Sequence, residues 1–259
     1  MIDIHAHLMP SVDDGASDDV EAVAALVRLS ADGFTAATAT PHLNASLAER
    51  PALWDAALAR FDAAWSRLLA LGPEAAPGLE LHRGAELMLD TPDPVVSDER
   101  VRLGGRAAVL VEFPRAAVPP SMPAALERLR ADGFLPVVAH PERYDVALEG
   151  QAELWRGAGA ALAVNGRALL GHYGQRAQRS AYELFARGLV DLVATDYHSR
   201  GDTGAVAVRA LLERETDADV ARLLTTHNPE RILAGAPPDP VPAVRFGTGF
   251  LERLRGLFR

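Results

Sequence analysis

Short apolar segments alternate along the chain with longer segments in which apolar and polar residues are mixed. The short segments predict strands, at residues 2–5, 34–40, 79–86, 107–113, 135–140, 161–165 and 189–195. In the longer segments, apolar residues recur at the spacing of one helix face and predict helices, at residues 18–32, 51–71, 121–132, 173–187 and 203–214. Strands that alternate with helices are typical of βαβ units and of a parallel sheet.

The number of predicted strands favours an α/β fold built as a single domain. Seven strands within 259 residues predict a distorted (β/α)7 barrel of the TIM type, with a doubly wound sheet as the structural alternative. The hydrophobic fraction of 49% is sufficient for a large core. We expect the barrel to occupy residues 1–235, and residues 236–259 to form a proline-rich link and a basic amphipathic C-terminal tail.

Residues that can bind metal ions lie at the ends of nearly all predicted strands. They are His5, His7, His42, Glu86, Glu112, His140, Asn165, Asp196 and His198. The carboxyl ends of parallel strands meet on one face of an α/β fold, and imidazoles and carboxylates are the usual ligands of zinc, manganese and iron. The pattern therefore predicts one shared metal site rather than separate polar residues that cap individual strands. The remaining histidines fit no strand end and are interpreted as surface or structural residues: His82, His172 and His227.

Composition and charge narrow the functional classes. The net charge of −9 argues against a general nucleic-acid-binding protein, which would usually show a basic face. The chain has no cysteine, so thiolate ligands, cysteine nucleophiles and disulfides are excluded. The sequence shows neither a secretory signal pattern nor an apolar run long enough to span a membrane, and we therefore expect a cytoplasmic location.

Several of these stretches resemble a known family. The PHP superfamily of metal-dependent phosphoesterases is similar in five stretches that occur in the same order: DIHAH, TPH, GAE, AHPER and TDYH. The bacterial manganese-dependent tyrosine-protein phosphatases of capsule and exopolysaccharide loci, the CpsB/YwqE type, are similar in longer stretches: MIDIHAHLMPSVDDG, VEFPR, AHPERY, VNGRALLGHYG and THNPERIL. The resemblance runs from Met1 to about Gly235 and implies the PHP fold, a distorted (β/α)7 barrel with a trinuclear metal site.

The resemblance implies three divalent metal ions, with manganese favoured and iron or zinc as alternatives, because these ligand types suit all three metals. The implied ligands of the first ion are His5, His7, Glu86 and Asp196. Those of the second ion are Glu86 as a bridge, Glu112 and His140. Those of the third ion are Asp14, His42 and His198. The neighbouring Asp13 either joins the site or only stabilises the turn.

The implied reaction is the hydrolysis of phosphate monoesters by a metal-activated hydroxide, without a covalent intermediate. Arg143, in HPERY, is the predicted phosphate-binding residue, since a guanidinium can bind two phosphate oxygens at once. Its structural alternative is a surface ion pair with Glu142. Arg200 is a second candidate for substrate binding. Asp196 or His198 is the candidate proton donor to the leaving group, although metal ligation competes with that role.

The resemblance also implies the substrate and the partners. We expect a protein-tyrosine phosphatase that acts on a phosphotyrosine protein, a bacterial tyrosine kinase of polysaccharide synthesis. The alternatives are a small-molecule phosphatase of the histidinol-phosphatase type and a catalytically silent scaffold. The complete ligand set argues against the scaffold, and no nucleic-acid partner is expected.

The C-terminal sequence FLERLRGLFR, residues 250–259, has the apolar and arginine positions of a basic amphipathic segment. Such a segment is expected to pack on its own barrel or on a neighbouring subunit of a homo-oligomer. Contact with a membrane surface is the less favoured alternative.

Overall fold

The structure is a computed structural model that describes residues 1–114 and 118–247. The strands in these residues are β1 (Ile2–Ala6), β2 (Ala36–Ala39), β3 (His42–Asn44), β4 (Glu80–Arg83), β5 (Glu86–Met88), β6 (Ala108–Glu112), β7 (Leu135–Ala139), β8 (Ala161–Asn165) and β9 (Leu192–Ala194). The helices are α1 (Asp19–Ala31), α2 (Pro51–Ala75), α3 (Met122–Ala131), α4 (Gln151–Gly157), α5 (Gly166–Leu169), α6 (Gly174–Ala186), α7 (Ala205–Glu215), α8 (Ala218–Arg222) and α9 (Asn228–Leu233). The paired strands are parallel throughout.

The chain passes twice from one sheet into the other, close to the predicted strands 34–40 and 79–86. One sheet has the order β1-β2-β4, and the other has the order β3-β5-β6-β7-β8-β9. Only two residues separate β2 from β3, and two separate β4 from β5, so the chain passes directly from the first sheet into the second. Pro41 lies in the first interruption, where its ring has no N–H group to continue a ladder. The predicted strand 34–40 thus contains only β2, and β3 follows it without having been predicted, whereas the predicted strand 79–86 contains β4 and the first residue of β5.

Hydrogen bonds connect the end of β9 to β1. The N–H group of Asp196 donates to the carbonyl oxygen of His5 (2.9 Å). The buried carboxylate of Asp3 accepts from the N–H group of Thr195 (3.1 Å) and from the Thr195 hydroxyl. These bonds join the edges of the two sheets, although the ladders of the described residues do not form a closed barrel. The predicted single-domain α/β class is confirmed, whereas the predicted distorted (β/α)7 barrel is not confirmed by the strand ladders.

Successive residues of the second sheet contribute to different apolar clusters on its two faces. On one face, Leu110 and Val137 belong to a small cluster that also contains Ile4 of β1. On the other face, Val111 and Val138 belong to a larger cluster that includes the helices. Because both faces are covered, the strands are continuous apolar runs in the sequence rather than alternating patterns. The small cluster is shared by strands of both sheets.

The helices agree with the sequence pattern in position but differ at their ends. α1 begins where the side chain of Asp18 accepts a hydrogen bond from the N–H group of Glu21 (2.9 Å), which caps the helix. α2 continues beyond residue 71 to Ala75, with Pro73 inside its last turns. The pattern missed α4, α5, α8 and α9, because helices of four to seven residues contain too few turns to show a period.

Residues 236–247 follow α9 without regular secondary structure and pack against α6. The N–H group of Val244 donates to the carbonyl oxygen of Phe185 (2.9 Å), and the ring of Phe246 stacks on Tyr182 with a centroid distance of 4.5 Å. The amphipathic tail predicted at residues 250–259 lies outside the described residues, so its packing, its role in an oligomer and its membrane contact stay predictions. No helix in the described part of the chain is both long and apolar enough to cross a membrane.

Replacement of Asp3 by alanine leaves the N–H and hydroxyl groups of Thr195 without their buried acceptor. We expect Asp3→Ala to lower the free energy of unfolding of the metal-free protein by about 2 kcal/mol, measured by urea denaturation with a chelator present. A suitable control is Asp32→Ala, which removes the acceptor of the Thr203 hydroxyl (2.6 Å) at a half-buried position and should cost less. Equal denaturation midpoints for Asp3→Ala and the wild type would show that this junction does not stabilise the fold.

Candidate metal centre

The predicted metal-competent residues converge where the strands end. Their places in the chain are His5 in β1, His7 directly after it, His42 at the start of β3, Glu86 at the start of β5, Glu112 at the end of β6, His140 after β7, and Asp196 and His198 after β9. His42 and Glu86 are direct partners in the β3–β5 ladder. Both residues lie just beyond the carboxyl ends of β2 and β4, because β3 and β5 begin after the two-residue interruptions that follow those strands.

The first group of candidate ligands is fully enclosed by protein. The Nε2 atoms of His5 and His7 lie 3.3 Å apart. Oδ1 of Asp196 lies 3.3 Å from each of these nitrogens, and Oε2 of Glu86 lies 3.2 and 3.4 Å from them. All four residues are buried. Two imidazole nitrogens and two carboxylate oxygens therefore face one another at a spacing that suits a shared cation.

A second group shares Glu86 with the first. His42 Nδ1 lies 3.0 Å from Glu86 Oε2 and 3.0 Å from Glu112 Oε1, and these three residues form a compact set of candidate ligands. His140 Nε2 lies 2.8 Å from Glu86 Oε1 but 3.8 Å from Glu112 Oε2. The structure thus brings Glu86, Glu112 and His140 together as the resemblance implies. It also places His42, which the resemblance assigns to the third ion only, beside Glu86 and Glu112.

A third group forms the side of the cluster that meets solvent. Asp14 Oδ1 lies 3.5 Å from His42 Nε2 and 3.3 Å from His198 Nε2, and His7 completes the set. The Asp14 side chain is 66% exposed, whereas the two imidazoles are about one-third exposed. The cluster is therefore accessible to solvent from this side. The three groups overlap at His7, His42 and Glu86.

The buried carboxylates of the cluster are stable in their ionised form only next to positive charge. Burial alone would raise the pKa of Glu86, but the imidazoles of His5 and His140 reverse this effect and hold the pKa well below its usual range. Burial lowers the pKa of His42, and its hydrogen bonds to Glu112 and Glu86 outweigh this and raise the pKa to about 10. Protons on imidazoles therefore balance the carboxylates in the metal-free protein. Divalent cations can replace these protons, so the donor set fits the implied metal ions.

Asp13 contacts the ring nitrogen of His7 that faces away from the other candidate ligands. Its Oδ2 lies 2.7 Å from His7 Nδ1, which turns the opposite nitrogen of the ring toward the candidate ligands. Its Oδ1 accepts from the N–H group of Gly15 (3.0 Å), so Asp13 also stabilises the turn, as one of the two sequence interpretations proposed. The turn packs so tightly that a Cβ atom on Gly15 would lie 2.2 Å from the carbonyl oxygen of His7.

Arg143 lies beside the cluster with most of its side chain covered. Its Nη1 donates to Asp196 Oδ2 (2.9 Å), and its side chain is 16% exposed. The sequence alternative, a surface ion pair between Arg143 and Glu142, is therefore wrong, because the ion-pair partner of Arg143 is the buried Asp196. Burial would raise the pKa of Asp196, but His5 and His7 outweigh burial and lower the pKa below its usual range.

Arg200 lies at the rim and has no hydrogen bond or ion pair with a candidate ligand among the described residues. It donates to the carbonyl oxygen of Gly15 (3.2 Å) and lies 3.8 Å from Glu21, with 60% of its side chain exposed. The three histidines assigned outside the site also have partners elsewhere: His82 with Glu80, His172 with Arg167, and His227 with Asp239.

Sequence reasoning missed two contacts of Asn165 at the edge of the cluster. Asn165, noted as a strand-end residue, donates from Nδ2 to Asp196 Oδ2 (3.2 Å) and to the hydroxyl of Tyr173 (3.1 Å), so it presents a donor and not an oxygen ligand to the cluster. Tyr173 was not singled out at all. Its occurrence in VNGRALLGHYG, a stretch already tied to the phosphatase resemblance, was the available signal.

Comparison with known proteins places the chain in a family. Residues 1–234 match the family described as capsular polysaccharide synthesis, CpsB/CapC. The chain belongs to this family. It is 29% identical to the tyrosine-protein phosphatase YwqE of Bacillus subtilis over 254 residues, 93% of this chain and 96% of YwqE. It is 26% identical to the tyrosine-protein phosphatase CpsB of Streptococcus pneumoniae, over 90% of this chain and 98% of CpsB.

A solved structure supports the same membership of the CpsB/CapC family. It comes from work on YwqE of Bacillus subtilis and CpsB of Streptococcus pneumoniae, described there as unique metal-dependent tyrosine phosphatases. The two folds have a TM-score of 0.72 at 26% sequence identity, and the similarity covers 93% of this chain and 99% of the solved chain. The family resemblance inferred from the sequence motifs is therefore confirmed.

The contact between Asp13 and His7 can be tested through metal affinity. Because Asp13 orients His7 and adds negative charge behind it, we expect Asp13→Asn to weaken Mn²⁺ binding about 10- to 100-fold, measured by competition with a metal-sensitive indicator after chelator treatment. Asp18→Asn, at the cap of α1, is the matched control and should leave the affinity unchanged. Unchanged affinity in Asp13→Asn would assign Asp13 to the turn alone.

Proposed function

We propose that this chain is a metal-dependent protein-tyrosine phosphatase that acts on a phosphotyrosine protein of capsule or exopolysaccharide synthesis, with a tyrosine kinase of that system as the substrate. The observation that supports the proposal most directly is the set of three overlapping ligand groups with Arg143 beside them. The similarity to YwqE and CpsB, which are tyrosine-protein phosphatases, supports the same substrate class.

Three divalent cations, with Mn²⁺ favoured over Fe²⁺ or Zn²⁺, are part of the proposal. The first would be held by His5, His7, Glu86 and Asp196, the second by Glu86, Glu112 and His140, and the third by Asp14, His42 and His198. When bound, such cations offset the charge of a phosphoryl group and lower the pKa of water, which supplies a nucleophile near neutral pH. His42 faces Glu86 and Glu112 through Nδ1 and Asp14 through Nε2, so it lies next to the residues that would hold the second ion and those that would hold the third.

Within this proposal, Arg143 binds the phosphoryl oxygens of the substrate. A guanidinium offers two parallel N–H donors to a phosphate, and the bond to Asp196 fixes its orientation. Arg200 would contribute from the rim, next to the turn that carries Asp14. Against the effect of burial, His5 and His7 lower the pKa of Asp196, and burial together with the nearby His7 also lowers the pKa of His198. Neither of the two candidate proton donors therefore holds a readily available proton near neutral pH.

The chemistry of the leaving group favours phosphotyrosine. The phenol of tyrosine has a pKa of about 10, far below that of an alcohol, so its phenolate leaves with little help from a proton donor. A site in which metal ligation competes for His198 and Asp196 is therefore better suited to phenyl than to alkyl phosphate esters.

We also infer that the two sheets form the distorted (β/α)7 barrel predicted from the sequence. The bonds between β9 and β1 support this inference, as does the cluster that Ile4 shares with residues of β6 to β9. The barrel, as predicted, would span residues 1–235.

A substrate panel tests the proposed activity. With Mn²⁺ added, we expect a phosphotyrosine peptide to be hydrolysed with a higher kcat/KM than the matching phosphoserine peptide or histidinol phosphate, and we expect a chelator to abolish turnover. A preference for histidinol phosphate would instead indicate a small-molecule phosphatase. Absence of turnover for every ester by fully metallated protein would indicate a catalytically silent scaffold. Either result contradicts the proposal.

The role of Arg143 has its own test. We expect Arg143→Ala to lower kcat/KM for a phosphotyrosine peptide about 100-fold, since a preorganised donor to the phosphoryl group is lost, while the bound metal measured by elemental analysis stays unchanged. Arg143→Lys should fall between, because an ammonium keeps the charge but not the paired donors. Arg176→Ala, which removes an exposed arginine paired with Asp145, is the control. Wild-type kinetics in Arg143→Ala would exclude Arg143 from the mechanism.

A further inference from the structure

Four side chains beside the metal cluster form a closed series of contacts. Arg143 Nη1 donates to Asp196 Oδ2 (2.9 Å), and Asn165 Nδ2 donates to the same oxygen (3.2 Å). The same amide nitrogen donates to the hydroxyl of Tyr173 (3.1 Å). The ring of Tyr173 then returns to Arg143, whose guanidinium carbon lies 5.0 Å from the ring centroid. Tyr173 is therefore held at two points, by a hydrogen bond and by a cation–π contact.

The local backbone holds these groups in place. Asn165 Oδ1 accepts from the N–H group of Arg167 (2.9 Å), which fixes the amide so that Nδ2 faces Asp196 and Tyr173. Tyr173 lies directly before α6, between Gly171 and Gly174, whose φ angles are 83° and 88°. Only glycine adopts such angles without strain, and the resulting tight turn carries the ring back toward β8. The position of the ring is thus built into the loop.

Tyr173 is also the exposed member of this series. Its residue surface is 36% exposed, whereas Asn165 and Asp196 are almost completely buried. Arg143 keeps one N–H in its bond to Asp196 and one face against the ring, and among the described residues its side chain has no further hydrogen bond. The remaining N–H groups of Arg143 and the free surface of the Tyr173 ring therefore lie side by side at the edge of the cluster.

We propose that Tyr173 is a specificity residue for aryl phosphates, whose ring positions Arg143 and contacts the aromatic ring of the phosphotyrosine side chain. The inference rests on the proposed phosphatase function and goes further, because it names the group that distinguishes a phenyl ester from an alkyl ester. A phosphoryl group bound by Arg143 brings its organic substituent next to Tyr173. Two aromatic rings attract each other more than a ring and a short alkyl group do.

The binding of two stable phosphonates tests this proposal without turnover. Phenylphosphonate and methylphosphonate carry the same anionic group and differ in the organic substituent, and their affinities for Mn²⁺-loaded protein can be measured by calorimetry. We expect the wild type to prefer phenylphosphonate. We expect Tyr173→Leu to reduce this preference roughly 3- to 10-fold, chiefly through weaker binding of phenylphosphonate. Tyr173→Phe, which keeps the ring, should retain the preference within about twofold.

Matched variants separate this role from a general structural one. Tyr182→Leu removes another tyrosine near α6, one that stacks on Phe246 away from the cluster, and should leave the preference unchanged. Tyr173→Gln is measured alongside Tyr173→Leu, so that a folding defect in one variant leaves the other to decide. Metal content is determined for each variant, because the ratio of affinities is compared at equal loading.

The outcomes distinguish this inference from the proposed function. A wild type without preference for phenylphosphonate, or Tyr173→Leu and Tyr173→Gln variants that keep the wild-type ratio, would overturn the role of Tyr173. A preference that is lost with the ring, in a protein that hydrolyses no phosphate ester, would overturn the phosphatase function and leave the aryl-binding role in place. Loss of the preference together with selective loss of phosphotyrosine turnover supports both.

Discussion

Two buried carboxylates, Glu86 and Asp196, impose the constraint on which the rest of this structure depends. An ionised carboxylate without contact with water is stable only beside compensating positive charge. The imidazoles of His5 and His7 lie within 3.4 Å of both carboxylates and supply this charge when protonated. Divalent cations supply it when bound. The strand ends that carry these side chains must therefore be held within a few ångströms of one another, and much of the fold serves this requirement.

The scaffold meets the requirement by backbone and side-chain bonds close to the site. The interruptions after β2 and β4 bring His42 and Glu86 into register in a second ladder. Asp3 ties the end of β9 to β1 through Thr195, directly before Asp196. His140 and Asp196 both have positive φ angles, 38° and 51°, which are uncommon for residues other than glycine. Strained backbone is typical of functional sites that the surrounding structure holds in place, and here it occurs at two candidate ligands.

The site changes in character from its interior to its rim. The interior carries the most buried carboxylates and imidazoles, while Asp14 meets solvent and marks the accessible side. Arg143 stands between these regions and has an anion on one side and the ring of Tyr173 on the other. The guanidinium and the aromatic ring lie in the same order as the phosphoryl group and the aryl group of the proposed substrate. This order of groups supports the proposed substrate class, as does membership of the CpsB/CapC family.

The sequence by itself determined the parallel α/β class, the family and the identity of the residues that converge. Strand ends can be located from local apolar patterns, and parallel strands bring such ends to one face whatever the details of packing. The tertiary structure alone decided the division into two sheets and the partners within the site. Arg143 and Asp196 are 53 residues apart, and Asn165 and Asp196 are 31 apart. No local pattern records which side chains meet across such separations, because those contacts arise only when the strands pack together.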